Sequence, residues 1–180
     1  MVEFKLYTIS DRYIAWLRES NSNVYANKSA DEFFFRKYLG VVFFIDKYCY
    51  FAPLSSPKET DYQITPEGKK IRRSIIPIIR ITSKNKLGEL ELKGTLRLSN
   101  MIPVPQSELR LYNLDDEPNS AYKNLVQKEM IFIRKNKSKI ISNAKLLYKQ
   151  KCSNDCSAGY IKNTLDFKAL EKRCDAFCRK

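Results

Sequence analysis

Three side chains with phosphate-binding chemistry, Ser55, Ser56 and Lys58, stand close together where an apolar segment of the chain ends. Hydroxyl groups donate hydrogen bonds to phosphate oxygens and an ammonium group neutralises their charge, so the cluster suits a phosphodiester. Loops at the end of a sheet often carry functional residues because the sheet holds them in place. Ser and Pro are also common turn residues, so an ordinary turn accounts for the same positions.

The segment that must position this cluster is predicted to be a β-hairpin. Residues 39–45 are almost continuously apolar, Asp46-Lys47 is a polar break of hairpin-turn length, and residues 48–51 resume an aromatic strand. A further strand is predicted over residues 89–98, where apolar and polar residues alternate. The two serines therefore follow directly on a strand of the predicted sheet.

Helical signals lie before and after the predicted strands. Ser10 and Asp166 are favourable N-caps for a short first helix and for a last helix. A long helix is predicted to begin at Pro118 or Asn119, and its apolar face contains one polar exception, Glu129.

These patterns together predict an α+β fold with about six antiparallel strands flanked by about four helices. We expect residues 1–180 to form a single domain, because the sequence contains no linker long enough to divide it. The C-terminal part, roughly residues 118–180, is expected to be helical.

The composition indicates a polyanionic partner. The 180 residues include 33 Lys and Arg against 20 Asp and Glu, which gives a formal charge of +13 at pH 7. Nucleic acid is the first candidate partner, and an anionic membrane surface is the competing one. No apolar run approaches the length of a membrane span, about 18 residues, and the first residues lack a signal-peptide pattern. A cytoplasmic location is therefore expected.

The chain contains no histidine. Histidine-pair RNA cleavage, Ser-His-Asp triads and metal sites with histidine ligands are therefore excluded as mechanisms for this chain. Any catalysis must use Lys, Arg, Tyr, Ser, Asp, Glu or Cys side chains.

Three groups of cations are candidate RNA contacts. Arg36 and Lys37 follow the aromatic residues 33–35, an arrangement typical either of core packing or of a base-stacking platform beside a phosphate-binding cation. The other two groups are either solvated basic faces or contacts to the RNA backbone. They comprise Lys69, Lys70, Arg72 and Arg73 and, at a predicted helix junction, Arg134 and Lys135.

Four of the five cysteines form two Cys-x3-Cys pairs. The four are Cys152, Cys156, Cys174 and Cys178. Free thiols, a structural zinc site and paired disulfides are all compatible with this spacing. A cytosolic protein normally keeps its thiols reduced, which favours the first alternative.

Several motifs, in their order along the chain, resemble the ToxN/AbiQ/CptN family, the protein toxins of type III toxin–antitoxin systems. Residues 40–58, with the ending Ala-Pro-Leu-Ser-Ser-Pro-Lys, are similar to the central hairpin of that family. Other matching blocks lie on both sides of this segment. They are Tyr7-Thr8-Ile9-Ser10 with Tyr13, Met101-Ile102-Pro103, Tyr122 through Phe132-Ile133-Arg134 to Asn136, Asp166-Phe167 and Leu170-Glu171.

The resemblance implies a twisted antiparallel sheet with flanking helices, similar to small toxin nucleases of the MazF/Kid type. It also implies a sequence-selective endoribonuclease with a role in phage defence or growth arrest. Its implied partners are single-stranded A-rich RNA substrates and a repeated, pseudoknot-like antitoxin RNA, which inhibits the enzyme, is processed by it and bridges several proteins in one assembly. No cofactor is implied.

The implied reaction is metal-independent: the 2′-hydroxyl of the RNA attacks the adjacent phosphorus and leaves 2′,3′-cyclic phosphate and 5′-hydroxyl ends. Family functional positions that match are Tyr13, Ser55, Ser56, Lys58 and Arg36. The serines would orient the phosphate, the lysine would stabilise charge or act as general acid, and the tyrosine would contact phosphate or base. The alternatives are a non-catalytic RNA-binding protein and an interaction domain built around the C-terminal cysteines.

Overall fold

The computed structural model describes residues 3–27, 35–153 and 157–179, which form nine strands and four α-helices. The strands are β1 (Lys5–Ile9), β2 (Tyr38–Ile45), β3 (Tyr48–Ser55), β4 (Tyr62–Thr65), β5 (Gly68–Ile71), β6 (Ile78–Lys84), β7 (Leu90–Arg97), β8 (Ile102–Pro103) and β9 (Leu109–Leu111). The helices are α1 (Asp11–Ser20), α2 (Ser120–Lys135), α3 (Lys137–Cys152) and α4 (Phe167–Cys178).

One antiparallel sheet has β3 at its centre. Six strands follow each other in the order β6-β7-β3-β2-β1-β9, and the two-residue strand β8 is paired with β3 as a seventh. On this edge β3 pairs first with β8, through Tyr50 and Phe51, and then with β7, through Leu54 and Ser55. The predicted α+β class, with about six antiparallel strands and about four helices, is confirmed. Strands β4 and β5 form a separate hairpin.

The predicted hairpin consists of β2 and β3, joined at Asp46-Lys47. Asp46 has a φ of 52°, in the left-handed region that tight turns use. The pairing shifts between Leu39 and Phe43, next to Gly40. A Cβ added at Gly40 would lie 2.1 Å from ring carbons of Phe51, so only glycine permits this close approach. Strand β3 of this hairpin runs through the centre of the sheet and ends at Ser55.

Side-chain caps fix the starts of three helices. Ser10 accepts a hydrogen bond from the Tyr13 N–H at the start of α1, and Asp166 accepts one from the Ala169 N–H at the start of α4, so both predicted caps are confirmed. Asn119 caps α2 in the same way. Within the described ranges, none of the helices has the length and apolar character that crossing a bilayer requires.

Helices α3 and α4 are fastened to the sheet by a buried carboxylate. Glu171 of α4 accepts hydrogen bonds from the hydroxyl of Tyr50, at 2.9 Å, and from that of Tyr148, at 2.7 Å. The Tyr148 ring stacks on Phe167 with 5.6 Å between ring centroids. Because each buried polar atom in this cluster has a partner, the helices pack on β3 without leaving an unsatisfied group.

Candidate active site at the end of strand β3

A pocket of about 520 Å³ opens where β3 ends. It is lined by residues 35–37, which precede β2, and by residues 54–56 at the end of β3. Lys93 of β7 and the first half of α2, together with the residues just before that helix, complete the lining. The pocket therefore gathers segments that are distant in sequence around the predicted pair Ser55-Ser56.

Ser55 is held by an arginine from the preceding segment. The guanidinium of Arg36 donates a hydrogen bond from Nη1 to Ser55 Oγ at 2.9 Å and another to the Leu54 carbonyl oxygen at 3.1 Å. The same guanidinium lies 4.6 Å from the ring centroid of Tyr25. Since Ser55 Oγ is the acceptor in this bond, its own proton is left to donate to an anion. Two sequence-predicted residues are thus brought together.

Ser56 and Lys58 are exposed residues that follow the strand. Ser56 lines the pocket, whereas Lys58 lies outside the lining. The main chain at Lys58 is fixed, because its N–H donates a hydrogen bond to Asp61 Oδ2 at 3.0 Å. Asp61 is itself buried between Arg80, at 3.1 Å, and Arg97, at 3.3 Å. A buried ionic cluster therefore anchors the backbone and leaves the Lys58 ammonium in solvent.

Tyr13 occupies the core and not the pocket. It is fully buried, and its hydroxyl donates a hydrogen bond to the Pro103 carbonyl oxygen at 2.6 Å. Its ring packs edge-on against Phe177, with 5.0 Å between centroids. Burial is the main cause that raises the pKa of the Tyr13 hydroxyl far above its ordinary value, and the neighbouring Cys174 is the next. The structure therefore places Tyr13 apart from the pocket with its one hydroxyl bonded to the backbone, and a contact between Tyr13 and substrate stays a prediction.

Lys37, predicted as an RNA contact, lines the pocket and is buried. Its ammonium donates a hydrogen bond to the Phe35 carbonyl oxygen at 3.1 Å and lies 4.5 Å from the centroid of Tyr112. It contributes positive potential to the pocket wall. Phe35 is buried, which agrees with the core-packing interpretation at that position, and residues 33 and 34 lie outside the described residues.

The four cations between residues 69 and 73 lie on and just after the β4–β5 hairpin and do not line the pocket. Lys69 and Lys70 form exposed ion pairs with nearby glutamates at 2.7 and 2.8 Å. Arg72 donates from Nε to a backbone oxygen at 2.8 Å, and Arg73 is exposed. Exposed pairs of this kind contribute little to stability, so these cations can exchange their partners for phosphates at low cost.

Arg134 and Lys135 are exposed in the last turn of α2. The pocket beside Ser55 is lined by the opposite, N-terminal half of the same helix. Arg134 instead borders a separate cavity, of about 470 Å³, beside β1 and β9. The structure therefore does not bring these two cations together with the serines.

The cysteines form no bridge among those described. Cys49, Cys152, Cys174 and Cys178 are free thiols, while Cys156 lies outside the described residues. Burial raises the pKa of the Cys174 thiol to about 11. In the part of the chain that the structure covers, no three His, Cys, Asp or Glu side chains come together as a group able to hold a metal ion.

Sequence reasoning did not identify Glu129 as part of the site. This α2 residue lines the pocket and is only 6% exposed, and burial raises the pKa of its carboxyl to about 7. The only sequence feature that could have indicated its role was its position as a polar residue on the apolar face of α2. Gly94 of β7 makes room for it, since a Cβ there would lie 2.2 Å from Glu129 Oε1.

The pocket combines cationic and hydroxyl groups at one side with an apolar surface at the other. Arg36 and Lys37 provide positive charge, Lys93 is ion-paired with Glu91, and the two serines provide hydroxyl donors. Apolar side chains such as Leu125 and Val126 cover much of the remainder. This arrangement is suited to an anion attached to a flat or apolar group, as in a nucleotide.

Comparison with known proteins places the chain in a family context. The model of a family described as toxin ToxN of type III toxin–antitoxin systems matches residues 5–175. The endoribonuclease ToxN of Pectobacterium atrosepticum is 30% identical over 169 residues, which cover 94% of this chain and 91% of that protein. The endoribonuclease AbiQ of Lactococcus lactis subsp. lactis is 31% identical over 179 residues, covering 98% and 90%.

Solved structures agree with the fold. A type III toxin–antitoxin structure that describes selective toxin inhibition by a non-coding RNA pseudoknot has a TM-score of 0.76 at 25% identity and covers 99% of this chain and all of its own. The structure of AbiQ, a lactococcal anti-phage endoribonuclease, has a TM-score of 0.79 at 27% identity with the same coverage. Both alignments therefore extend over almost the whole of this chain.

Proposed function

Because this chain belongs to the ToxN family of type III toxin–antitoxin toxins, we propose that it is an endoribonuclease held inactive by an antitoxin RNA. One observation carries the assignment of the site: the Arg36 guanidinium bonds Ser55 Oγ at 2.9 Å inside a cationic pocket. A guanidinium that orients a hydroxyl at the end of a strand forms a preorganised receptor for one phosphate of RNA. The proposal takes residues 1–180 as one nuclease domain.

Cleavage proceeds by attack of the substrate's own 2′-hydroxyl. The O2′–P bond forms, the P–O5′ bond breaks, and the products are a 2′,3′-cyclic phosphate and a 5′-hydroxyl. Ser55 and Ser56 donate hydrogen bonds to the non-bridging oxygens and hold the phosphorus in line with the attacking oxygen. Arg36 stabilises the charge that develops on the phosphorane, and Lys58 supplies the proton to O5′.

The reaction is proposed to need no metal ion. The sequence motif resembles a metal-independent nuclease, and the pocket supplies positive charge of its own from Arg36 and Lys37. Fixed cations around a phosphate perform the charge stabilisation that a divalent ion performs in other nucleases. The cleavage experiment described below tests both the mechanism and its independence of metal ions.

The partners follow from the family and from the exposed cations. We propose a repeated, pseudoknot-like antitoxin RNA that the toxin processes, and A-rich single-stranded RNA as substrate. The β4–β5 hairpin with Lys69, Lys70, Arg72 and Arg73 is proposed as the main RNA-backbone surface. Arg134 and Lys135 lie elsewhere on the protein, and a second RNA segment bound there would bridge several toxins into one assembly. The proposed role is phage defence or growth arrest in the cytoplasm.

Product analysis tests this function. Purified protein is incubated with A-rich single-stranded RNA in EDTA, and the product ends are identified, with Lys58→Ala and, as a matched control, Lys86→Ala, an exposed lysine distant from β3 in the chain. Cyclic phosphate ends are expected from the wild type and the control. Lys58→Ala should lose about 100-fold or more in turnover with a smaller loss in binding.

Three results would each count against a part of the assignment. RNA that is bound and remains intact would make the chain a binding module without catalysis. Cleavage that EDTA abolishes and Mg²⁺ restores would reject the metal-independent mechanism. Equal losses of binding and turnover in Lys58→Ala would reduce this lysine to a binding residue.

A further inference from the structure

We propose that Glu129 is the general base of the reaction, the group that accepts the proton of the attacking 2′-hydroxyl. This inference rests on the proposed function and adds a residue that neither the sequence motif nor the resemblance supplied. It also completes the chemistry, because the serines, Arg36 and Lys58 bind or donate and none of them is a base at neutral pH.

Glu129 reaches the end of β3 from the helix across the pocket. It lines the same pocket as Ser55, Ser56 and Arg36. Its position over β7 is fixed by Gly94: a Cβ added there would lie 2.2 Å from Glu129 Oε1 and 3.2 Å from the Ser55 carbonyl oxygen. The carboxyl group and the main chain of Ser55 therefore converge on the same glycine, so a phosphate held by the serines lies beside a carboxylate.

Glu129 differs from the other buried carboxyl groups in having no partner. Asp61 is paired with two arginines, Glu108 is paired with Arg12, and Glu171 accepts hydrogen bonds from two tyrosines. Among the residues that the structure describes, none forms a hydrogen bond or an ion pair with Glu129. A buried carboxyl group without a partner destabilises the folded state. Because this one faces a pocket, we explain its presence by a role in function.

The protonation equilibrium suits a general base. Burial raises the pKa of Glu129 to about 7, so the carboxylate is substantially populated at neutral pH and is more basic than an ordinary glutamate. Its helix neighbours one turn away, Leu125, Val126 and Ile133, are apolar. On the strands that pack against α2, Arg80 of β6 and Arg97 of β7 share the single carboxylate of Asp61, which leaves one net positive charge in that cluster. The other charged or titratable groups that line the pocket are Arg36, Lys37, Lys93, Glu117 and Tyr122.

The proton balance of the step is complete. The 2′-hydroxyl proton passes to a Glu129 oxygen while the O2′–P bond forms. The P–O5′ bond breaks and the leaving oxygen takes its proton from the Lys58 ammonium. Solvent then returns Lys58 and Glu129 to their starting states, so no oxidant, reductant or further reactant is consumed.

The pH dependence of kcat/KM tests the role of Glu129. For the wild type we expect activity to rise with pH and to level off through an inflection near 7. Glu129→Gln should lower the plateau by about 100-fold or more, remove the inflection, and leave RNA affinity within about threefold. Glu19→Gln, an exposed glutamate on α1, is the charge-matched control and should keep the wild-type profile.

The outcomes separate this inference from the function on which it rests. A wild type that cleaves no RNA overturns the proposed function and this inference with it. A wild-type profile without an inflection between pH 5 and 9, or a Glu129→Gln variant that keeps both rate and inflection, overturns this inference alone. Thermal unfolding of the variant and the profile of Glu129→Asp, expected to retain an inflection at a lower rate, guard against loss of fold.

Discussion

Arg36 Nη1 and Ser55 Oγ lie 2.9 Å apart although 19 positions separate the two residues in the chain. The bond connects the segment before β2 to the last residue of β3, so the whole β2–β3 hairpin lies between the two bonded residues in the chain. A second bond, from the same Nη1 to the Leu54 carbonyl oxygen, fixes the direction of the guanidinium. The orientation of the proposed phosphate-binding hydroxyl is therefore set by the hairpin and its arginine together.

Arg36→Lys is expected to lower kcat/KM for RNA cleavage by about 10- to 100-fold. Lysine keeps the charge but cannot bond Ser55 Oγ and the Leu54 carbonyl oxygen with one planar group. Arg179→Lys, just past the end of α4, is the matched control. A rate within a factor of two of wild type for both variants would show that the hydroxyl does not depend on the arginine.

Gly94→Ala is expected to displace the Glu129 carboxyl, because the added Cβ would lie 2.2 Å from its Oε1. The free energy of unfolding should fall by about 1–3 kcal/mol, as in other overpacked cores. Cleavage should fall more than tenfold at temperatures where the variant is folded. Gly159→Ala provides the control, since no atom lies within 4 Å of a Cβ there. Urea titration and cleavage assays of both variants measure the two effects. A Gly94→Ala variant that is as stable and as active as the wild type would contradict the expected displacement of Glu129.

The raised pKa of Glu129 predicts a pH dependence of stability. The folded protein holds the carboxyl proton up to about pH 7, against 4.5 for an ordinary glutamate. The stability it contributes is therefore fully present below about pH 4.5 and is lost as the pH rises through 7. Relative to wild type, Glu129→Gln should gain about 3 kcal/mol between pH 4 and pH 8. Parallel urea titrations of the two proteins measure this, and a constant difference would argue against a shifted pKa.

Asp61→Ala is expected to lower the free energy of unfolding by about 3–5 kcal/mol, because it leaves Arg80 and Arg97 buried without a counter-charge. It also removes the acceptor of the Lys58 N–H, so cleavage should decline together with stability. Chemical denaturation gives the first quantity. Glu59→Ala, an exposed acid two positions earlier, should change stability by less than about 0.5 kcal/mol. A loss below about 1 kcal/mol for Asp61→Ala would mean that the two arginines find other partners.

Replacing Lys69, Lys70, Arg72 and Arg73 by Gln is expected to weaken antitoxin RNA binding and to flatten its salt dependence. Each lost phosphate contact lowers the slope of log K against log salt by about 0.7 to 0.9. Lys145→Gln with Lys149→Gln, on exposed positions of α3, is the control. Binding isotherms over a range of KCl concentrations give the slopes, and an unchanged slope would exclude the hairpin as the RNA surface.

The sequence predicted the central strands well because their burial leaves a clear pattern. The apolar run of β2, the turn at Asp46 and the alternation of β7 are all direct consequences of a sheet with a buried face. The β4–β5 hairpin was not predicted as strands. Its strands have four residues each and neither face is buried, so their pattern of apolar and polar residues is too short to predict strands.

The site was harder to predict because it depends on distances between segments. The resemblance pointed to Tyr13 and Ser55 alike, but only the structure separates a fully buried core hydroxyl from one at a pocket. Lys37 was predicted as an RNA contact from its charge, and nothing in the sequence indicated that a carbonyl oxygen and a tyrosine ring surround its ammonium group. Glu129 appeared as a mere exception on an apolar helix face, since the missing Cβ of Gly94 that accommodates it lies 35 positions away.

The attachment of α4 to β3 also determines when the protein can fold. Tyr50 reaches its carboxylate partner 121 positions later, and Trp16 Nε1 donates a hydrogen bond to the Arg173 carbonyl oxygen 157 positions later. Contacts of such long range form slowly, and these two require the chain through residue 173. A chain that ends before α4 lacks the buried residues Phe167, Leu170 and Cys174 and leaves the Tyr50 hydroxyl and the Trp16 N–H without these partners. Under the proposed function, the phosphate-binding end of β3 is therefore supported by a helix that is synthesised more than 100 positions after it.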